Sequence, residues 1–235
     1  MSIGGIEMEI YKNALLKITN TDVNEHGIVI IPNGVTSIND DAFAYCTSLK
    51  CVQIPEGVVK VGKNAFAHCS SLEDICIPES LTKIQERAFI FCRSLREVTL
   101  PKHLVKIDEG AFAYCNRLKN INIPKNITKI EDCTFISCKS LKKIIFPNNL
   151  VEIGYKAFFE CNSLKKIVIP DNVERIEFNA FSYCKNLQEI YISSNFVEIE
   201  KHAFSGCASL HHICHNNIVY QFNNEEGVLY KYKET

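Results

Sequence analysis

Proline stands at residues 32, 55, 78, 101, 124, 147 and 170, an unvarying step of 23 that uses every proline in this 235-residue chain. Phenylalanine keeps the same step from Phe43 through Phe66, Phe89, Phe112, Phe135, Phe158 and Phe181 to Phe204, and cysteine keeps it from Cys46 to Cys207. A fixed period of roughly 20–50 residues means one structural unit stacked on copies of itself, because so small a unit cannot bury its own apolar face. The chain is therefore constrained to a solenoid. Most of its cysteines and phenylalanines belong to packing before any chemistry is considered.

Val52, Ile54, Pro55, Val58, Val61, Ala65, Phe66, Cys69 and Leu72 make one clean unit, and eight such copies fit between Val29 and His212. Ahead of Pro78, Ile75 and Ile77 alternate with Asp74 and Cys76, the pattern of a short strand with one buried face. Proline closes that strand because it has no N–H for the ladder. Leu81 and Ile84 mark a second extended segment on the opposite side of the coil. Residues 85–92 then carry the chain back and are expected to form a single helical turn. Stacked at one strand spacing per coil, eight units span roughly 40 Å.

The string L-x-x-I-x-I-P followed by A-F-x-x-C, as in Leu72 to Pro78 with Ala88, Phe89 and Cys92, resembles the BspA-like leucine-rich repeats. The resemblance implies a right-handed superhelix with a parallel β-sheet on its concave face, mostly strand and loop, used to bind other macromolecules. It brings no catalytic residue and no cofactor. Members are often bacterial surface or secreted proteins, with similar ones in protists and large viruses.

Residues 29–214 are read as the eight repeats. Residues 1–28 fall outside the period and are read as a capping segment, with Ile6–Ile10 and Ala14–Ile18 forming a hairpin around Lys12 and Asn13. Residues 215–235 are read as a second hairpin, turning at Asn223–Gly227, or as the start of an insertion. Two departures fall inside the array: Ser193 stands in the proline column, and Thr134 in the alanine column beside the additional Cys133.

Twelve cysteines raise the question of disulfides or zinc, but no C-x-x-C pair occurs, and zinc sites ordinarily use such close pairs. Eight of the twelve occupy one repeat position among apolar neighbours and read as small buried hydrophobes. Free thiols at close spacing favour a reducing compartment. The first twenty residues carry no apolar leader, whereas the family resemblance allows a surface or secreted protein. A net charge of −1 gives no basic footprint for nucleic acid, and no segment has the length of a membrane span. The chain is expected to act as a monomer.

With the repeating positions assigned to the core, function falls to those that vary. Strand alternation turns Lys143, Ile145, Lys166, Val168, Glu189 and Tyr191 outward on the first sheet, with Lys119, Lys142 and Lys165 beside them. A basic strip next to apolar residues and a tyrosine is a candidate partner surface. The plainer account is that these lysines keep an exposed sheet soluble. His211, His212, Cys214 and His215 are the one group with metal-ligand residue types, though without stereotyped spacing, and an exposed capping edge explains them better. Cys51 and Cys76 face outward with no histidine on the same strand to activate a thiol. The expectation is a non-enzymatic scaffold for a protein or peptide on the concave sheet, in cell attachment or host interaction. A glycan is the alternative ligand, and a metal- or thiol-dependent enzyme at the C-terminal cluster the remote one.

Overall fold

The computed structural model describes residues 2–3, 6–7, 9–193, 197–215, 218–223 and 228–231, with side chains over 9–193 and 197–214. Each coil gives one short strand to each of two parallel stacks, except that residues 97–99 contribute only a single bridge to the first, and the second is interrupted between Lys106–Ile107 and Lys129–Ile130. In the first sheet, Ile28–Ile30, Cys51–Gln53 and Asp74–Cys76 pair in register, so that Val52 lies between Val29 and Ile75. The middle residue of each triplet points into the core and its neighbours face solvent, because strand side chains alternate between faces. The second sheet is built of two-residue strands such as Lys60–Val61, Lys83–Ile84 and Lys106–Ile107, again with the apolar member inward. Equivalent residues pair there too, Lys83 with Lys60 on one side and Lys106 on the other.

The third side of the coil differs from the expected helical turn. Residues 85–92 bend through two left-handed residues, Arg87 (φ 55°) and Phe91 (φ 60°), and the same pair recurs in neighbouring coils, as at Asn64 and His68. A helical turn would spend its N–H groups on itself. Here alternate groups are aimed along the stack, as Phe66 N–H donates to the Ala88 carbonyl at 2.7 Å, His68 to Ile90 at 2.8 Å and Phe89 to Ala111 at 2.8 Å, while those between close the turn, as Ala88 N–H does to Gln85 at 3.2 Å. Among the described residues the helical content is one 3-10 turn, Asn20–Asp22.

Repetition puts like on like. The rings Phe43 to Phe204 form an unbroken offset stack with centroids 4.6 to 5.7 Å apart. Beside them the ladder thiols from Cys69 onward donate to a phenylalanine carbonyl of a preceding coil, as Cys115 Sγ does to Phe89 at 3.2 Å, and Cys46 donates to the Ile18 carbonyl at 3.1 Å. All twelve cysteines are free. Burial raises the Cys46 thiol up to about 11 and the Cys115 thiol further. Iodoacetamide at neutral pH should therefore label exposed Cys76 in the folded protein and reach Cys115 only on unfolding. Mass spectrometry showing equal rates at the two would contradict this packing.

Thr134 fits the alanine column because its hydroxyl donates to the Glu131 carbonyl at 2.6 Å, so the departure is a local adjustment. Gly62 and Gly154 lie where Asp40 and Asp132 cap the next coil, accepting the Lys63 and Tyr155 N–H groups at 2.9 Å.

At the N-terminal end, Glu9–Tyr11 and Ala14–Lys17 form a hairpin through Lys12 and Asn13, both left-handed. Its second strand already belongs to the stack, since Asn39 N–H donates to the Leu15 carbonyl as Gly62 does to Ile38. At the other end, His212–His215 pairs parallel to Glu189–Ile192, then Ile218–Asn223 and Val228–Lys231 follow antiparallel. Met8, in the first expected strand, and Asn224–Gly227, in the expected C-terminal turn, lie outside the described residues.

The first sheet is not continuous. Its ladder stops at residues 97–99, joined to Asn120 by one bridge, and again between Lys143–Ile145 and Lys166–Ile169. Ile31, Ile54 and Ile123 each donate to the neighbouring coil, whereas Ile77, Leu100 and Phe146 make no such bond. The residue before the proline is isoleucine in every other coil; Leu100 and Phe146 are the two that lack a β-branch. β-branched residues suit the pleated, half-buried surface, and Leu100 and Phe146 lack that branch beside the two breaks, although β-branched Ile77 loses its ladder bond as well.

Candidate partner-binding site

The break between Lys143–Ile145 and Lys166–Ile169 opens into a groove of about 690 Å³. Its floor and walls are Ile144, Ile145, Phe146 and Val168, and Lys142, Lys143, Lys165 and Lys166 stand along it. Asn148, Asp171, Asn172 and Ser193 close the far end. Ile145 is 47% exposed and Val168 52%. Ile144 belongs to a column that is buried elsewhere, at Val52, Ile75, Ile121, Ile167 and Ile190, yet it is only half-buried. Separated strands thus let solvent reach a core residue. Phe146 turns its ring edge-on to Phe158 at 5.7 Å and 73°, filling the layer beneath.

Charge is distributed unevenly between the two sheets. On the second, cations are matched along the stack: Lys83 with Asp108 at 3.1 Å, Lys106 with Asp108 at 3.0 Å and Lys129 with Glu152 at 2.8 Å. Hydrogen bonds to Asp108 and Glu152 accordingly raise Lys106 and Lys129. At the groove, Lys166 lies 3.4 Å from Glu189 and 4.1 Å above the Tyr191 ring. Among the described residues, no carboxylate lies within ion-pair distance of Lys142, Lys143 or Lys165. The structure thus gathers Lys142, Lys143, Ile145, Lys165, Lys166 and Val168 at one groove and joins Glu189 and Tyr191 to it through Lys166. Lys119 is exposed one coil earlier and does not line it.

A smaller hollow of about 270 Å³ marks the other break, with Glu97, Thr99, Asn120 and Asn122 offering hydrogen bonds but no cation. At the C-terminal edge, the exposed rings of His211 and His212 meet edge to face at 6.5 Å, and Cys214 is half-buried. The His215 side chain lies outside the described residues. Among the described residues, no three His, Cys, Asp or Glu side chains converge on a common point. Cys51 has its thiol raised by burial and by Asp74, the wrong direction for a nucleophile.

Two features escaped the sequence reading. Phe146 at the groove was visible as the one aromatic before a proline. The other is an outer stack of Tyr45, His68, Phe91 and Tyr114, with centroids 4.4 to 4.6 Å apart. Its signal was an aromatic or histidine one residue before the ladder cysteine in four successive units. These rings cover one another's faces and leave mainly edges to solvent, which removes most of the flat surface a sugar ring would stack on.

Two parallel sheets on a 23-residue coil, a stacked phenylalanine spine and no long helix among the described residues define a leucine-rich repeat solenoid. The chain belongs to the BspA-type family: the model of the BspA type leucine rich repeat region, six copies long, matches residues 20–140 and 105–226. Among solved structures it is similar to a leucine rich cell surface protein from Faecalibacterium prausnitzii A2-165, at 27% identity and a TM-score of 0.74 over 96% of this chain. This chain spans 59% of that protein's length. A leucine-rich repeat protein of T. pallidum shares the fold at 24% identity and a TM-score of 0.60, with 87% of each chain covered. No curated protein matches the sequence. No helix among the described residues is long and apolar enough to cross a membrane.

Proposed function

We propose that this chain is a non-enzymatic interaction scaffold that holds a protein or peptide partner against the first sheet, over residues 142–191. One observation carries the reading: positions that vary between units place uncompensated lysines beside exposed apolar side chains at one groove, while the repeating positions are buried. Proteins of this family are generally non-enzymatic repeat proteins, which agrees with it. The Faecalibacterium relative is described as a cell surface protein, and this supports a role in attachment to a cell or host.

The test immobilises three forms of the chain and measures capture of surface proteins from candidate host or neighbouring cells. One form is unaltered, one carries glutamate at Lys142, Lys143, Lys165 and Lys166, and one carries glutamate at Lys50 and Lys60, several coils from the groove. Reversal at the groove should weaken capture by about tenfold or more, most of it in the association rate and strongest at low salt, with the control unchanged. Equal capture by all three forms would remove the first sheet from the reading.

A further inference from the structure

We infer that the groove over the break between strands Lys143–Ile145 and Lys166–Ile169 is a socket for a short acidic peptide segment with leucine-sized side chains, and that Phe146 shapes it. The inference rests on the scaffold reading and adds the chemistry of what is bound.

Two observations converge on that occupant. The floor is apolar and includes half-buried Ile144, so it favours side chains that leave water rather than a fully polar segment. Around that floor Lys142, Lys143 and Lys165 have no carboxylate in ion-pair range among the described residues, and Asp171 is the one acid in the lining. Carboxylates on the segment would satisfy those cations. At about 690 Å³ the groove has the size of a small-ligand site and admits several side chains.

Phe146 shapes the groove. Isoleucine at the same position donates its N–H to the next coil at Ile31, Ile54 and Ile123, though not at Ile77 beside the other break. At Phe146 the ring fills the layer against Phe158, and the N–H makes no ladder bond. Phe146→Ile should therefore let Phe146's position join the ladder and close the socket without unfolding the coil.

The test uses the full chain and a labelled hexapeptide of two leucines flanked on each side by two glutamates. Its companions have lysine for glutamate or serine for leucine, and decanoate is a non-peptide competitor. Binding of the acidic leucine probe should shift the methyl resonances of Ile144, Ile145 and Val168. Glutamate at Lys142, Lys143 and Lys165 should weaken it about tenfold or more. Phe146→Ile should weaken it at least about fivefold while slowing amide exchange at residues 146 and 165 and leaving the melting temperature at or above that of the parent. The socket is overturned if the lysine or serine peptide binds as well, if the shifts fall elsewhere, if decanoate binds more tightly than the peptide, or if Phe146→Ile leaves binding unchanged. Should the probe fail while capture still depends on the first-sheet lysines, the socket falls and the scaffold reading stands. Loss of that dependence is the separate result that removes the scaffold reading itself.

Discussion

Phe112→Ala lowers the free energy of unfolding by about 3–5 kcal/mol, the largest effect expected of any single truncation in the array. Phe112 is wholly buried and lies between Phe89 at 5.3 Å and Phe135 at 5.7 Å, both nearly parallel to it. Removing the ring therefore takes contact from both neighbouring coils. The backbone around it cannot collapse to fill the space, because Phe112 N–H is fixed to the Thr134 carbonyl at 3.0 Å and the Phe112 carbonyl accepts Cys138 Sγ at 3.2 Å. Stability in such an array comes largely from interfaces between neighbours, so a central loss weakens two of them. Urea denaturation followed by circular dichroism measures the change. A loss under about 1 kcal/mol would mean that the spine packs far more loosely than its spacing implies.

Gly62→Ala is expected to cost about 2–3 kcal/mol, for a different reason. A Cβ on Gly62 would stand 2.5 Å from Asp40 Oδ1 and 2.6 Å from both the Asn39 carbonyl carbon and the Asp40 nitrogen. Two of those three atoms are backbone and cannot rotate away. Moving them would strain the bond from Gly62 N–H to the Ile38 carbonyl and the cap from Asp40 to Lys63 N–H, both 2.9 Å. Gly154→Ala meets the same arrangement with more room: Asp132 Oδ1 at 2.5 Å, then the Ile130 oxygen at 2.8 Å and the Asp132 nitrogen at 2.9 Å. It should lower the melting temperature in the same direction by less. A Gly62→Ala protein that melts with the parent would refute the close approach.

The strand faces, the phenylalanine spine and the family were legible because each rests on a column that every coil repeats. The outward lysines with Ile145 and Val168 were legible because alternation assigns faces. The returning edge was not. Its left-handed column holds Asp41, Asn64, Arg87, Gly110, Cys133, Lys156, Asn179 and His202, so no glycine signature advertises the turn. Hydrogen bonds along the stack stabilise that backbone where local preference would not. The depth of the groove was hidden for another reason. It depends on how far apart two strands stand, and a column of repeated residues does not carry that separation. Leu100 and Phe146 were visible as exceptions in the pre-proline column, but only the missing ladder bonds give them meaning.

Those exceptions bear on how the chain avoids its own copies. A solenoid of interchangeable coils has many near-equivalent partners for each edge during folding, and a coil from another molecule would fit almost as well as the proper neighbour. Such arrays are prone to domain swapping and misassembly. Leu100, Thr134 and Phe146 make their layers unlike the rest, so a stack shifted by one coil sets a large ring where an isoleucine belongs or strands a threonine hydroxyl away from Glu131. The irregular coils serve as registration marks, penalising every pairing but the one the sequence order dictates.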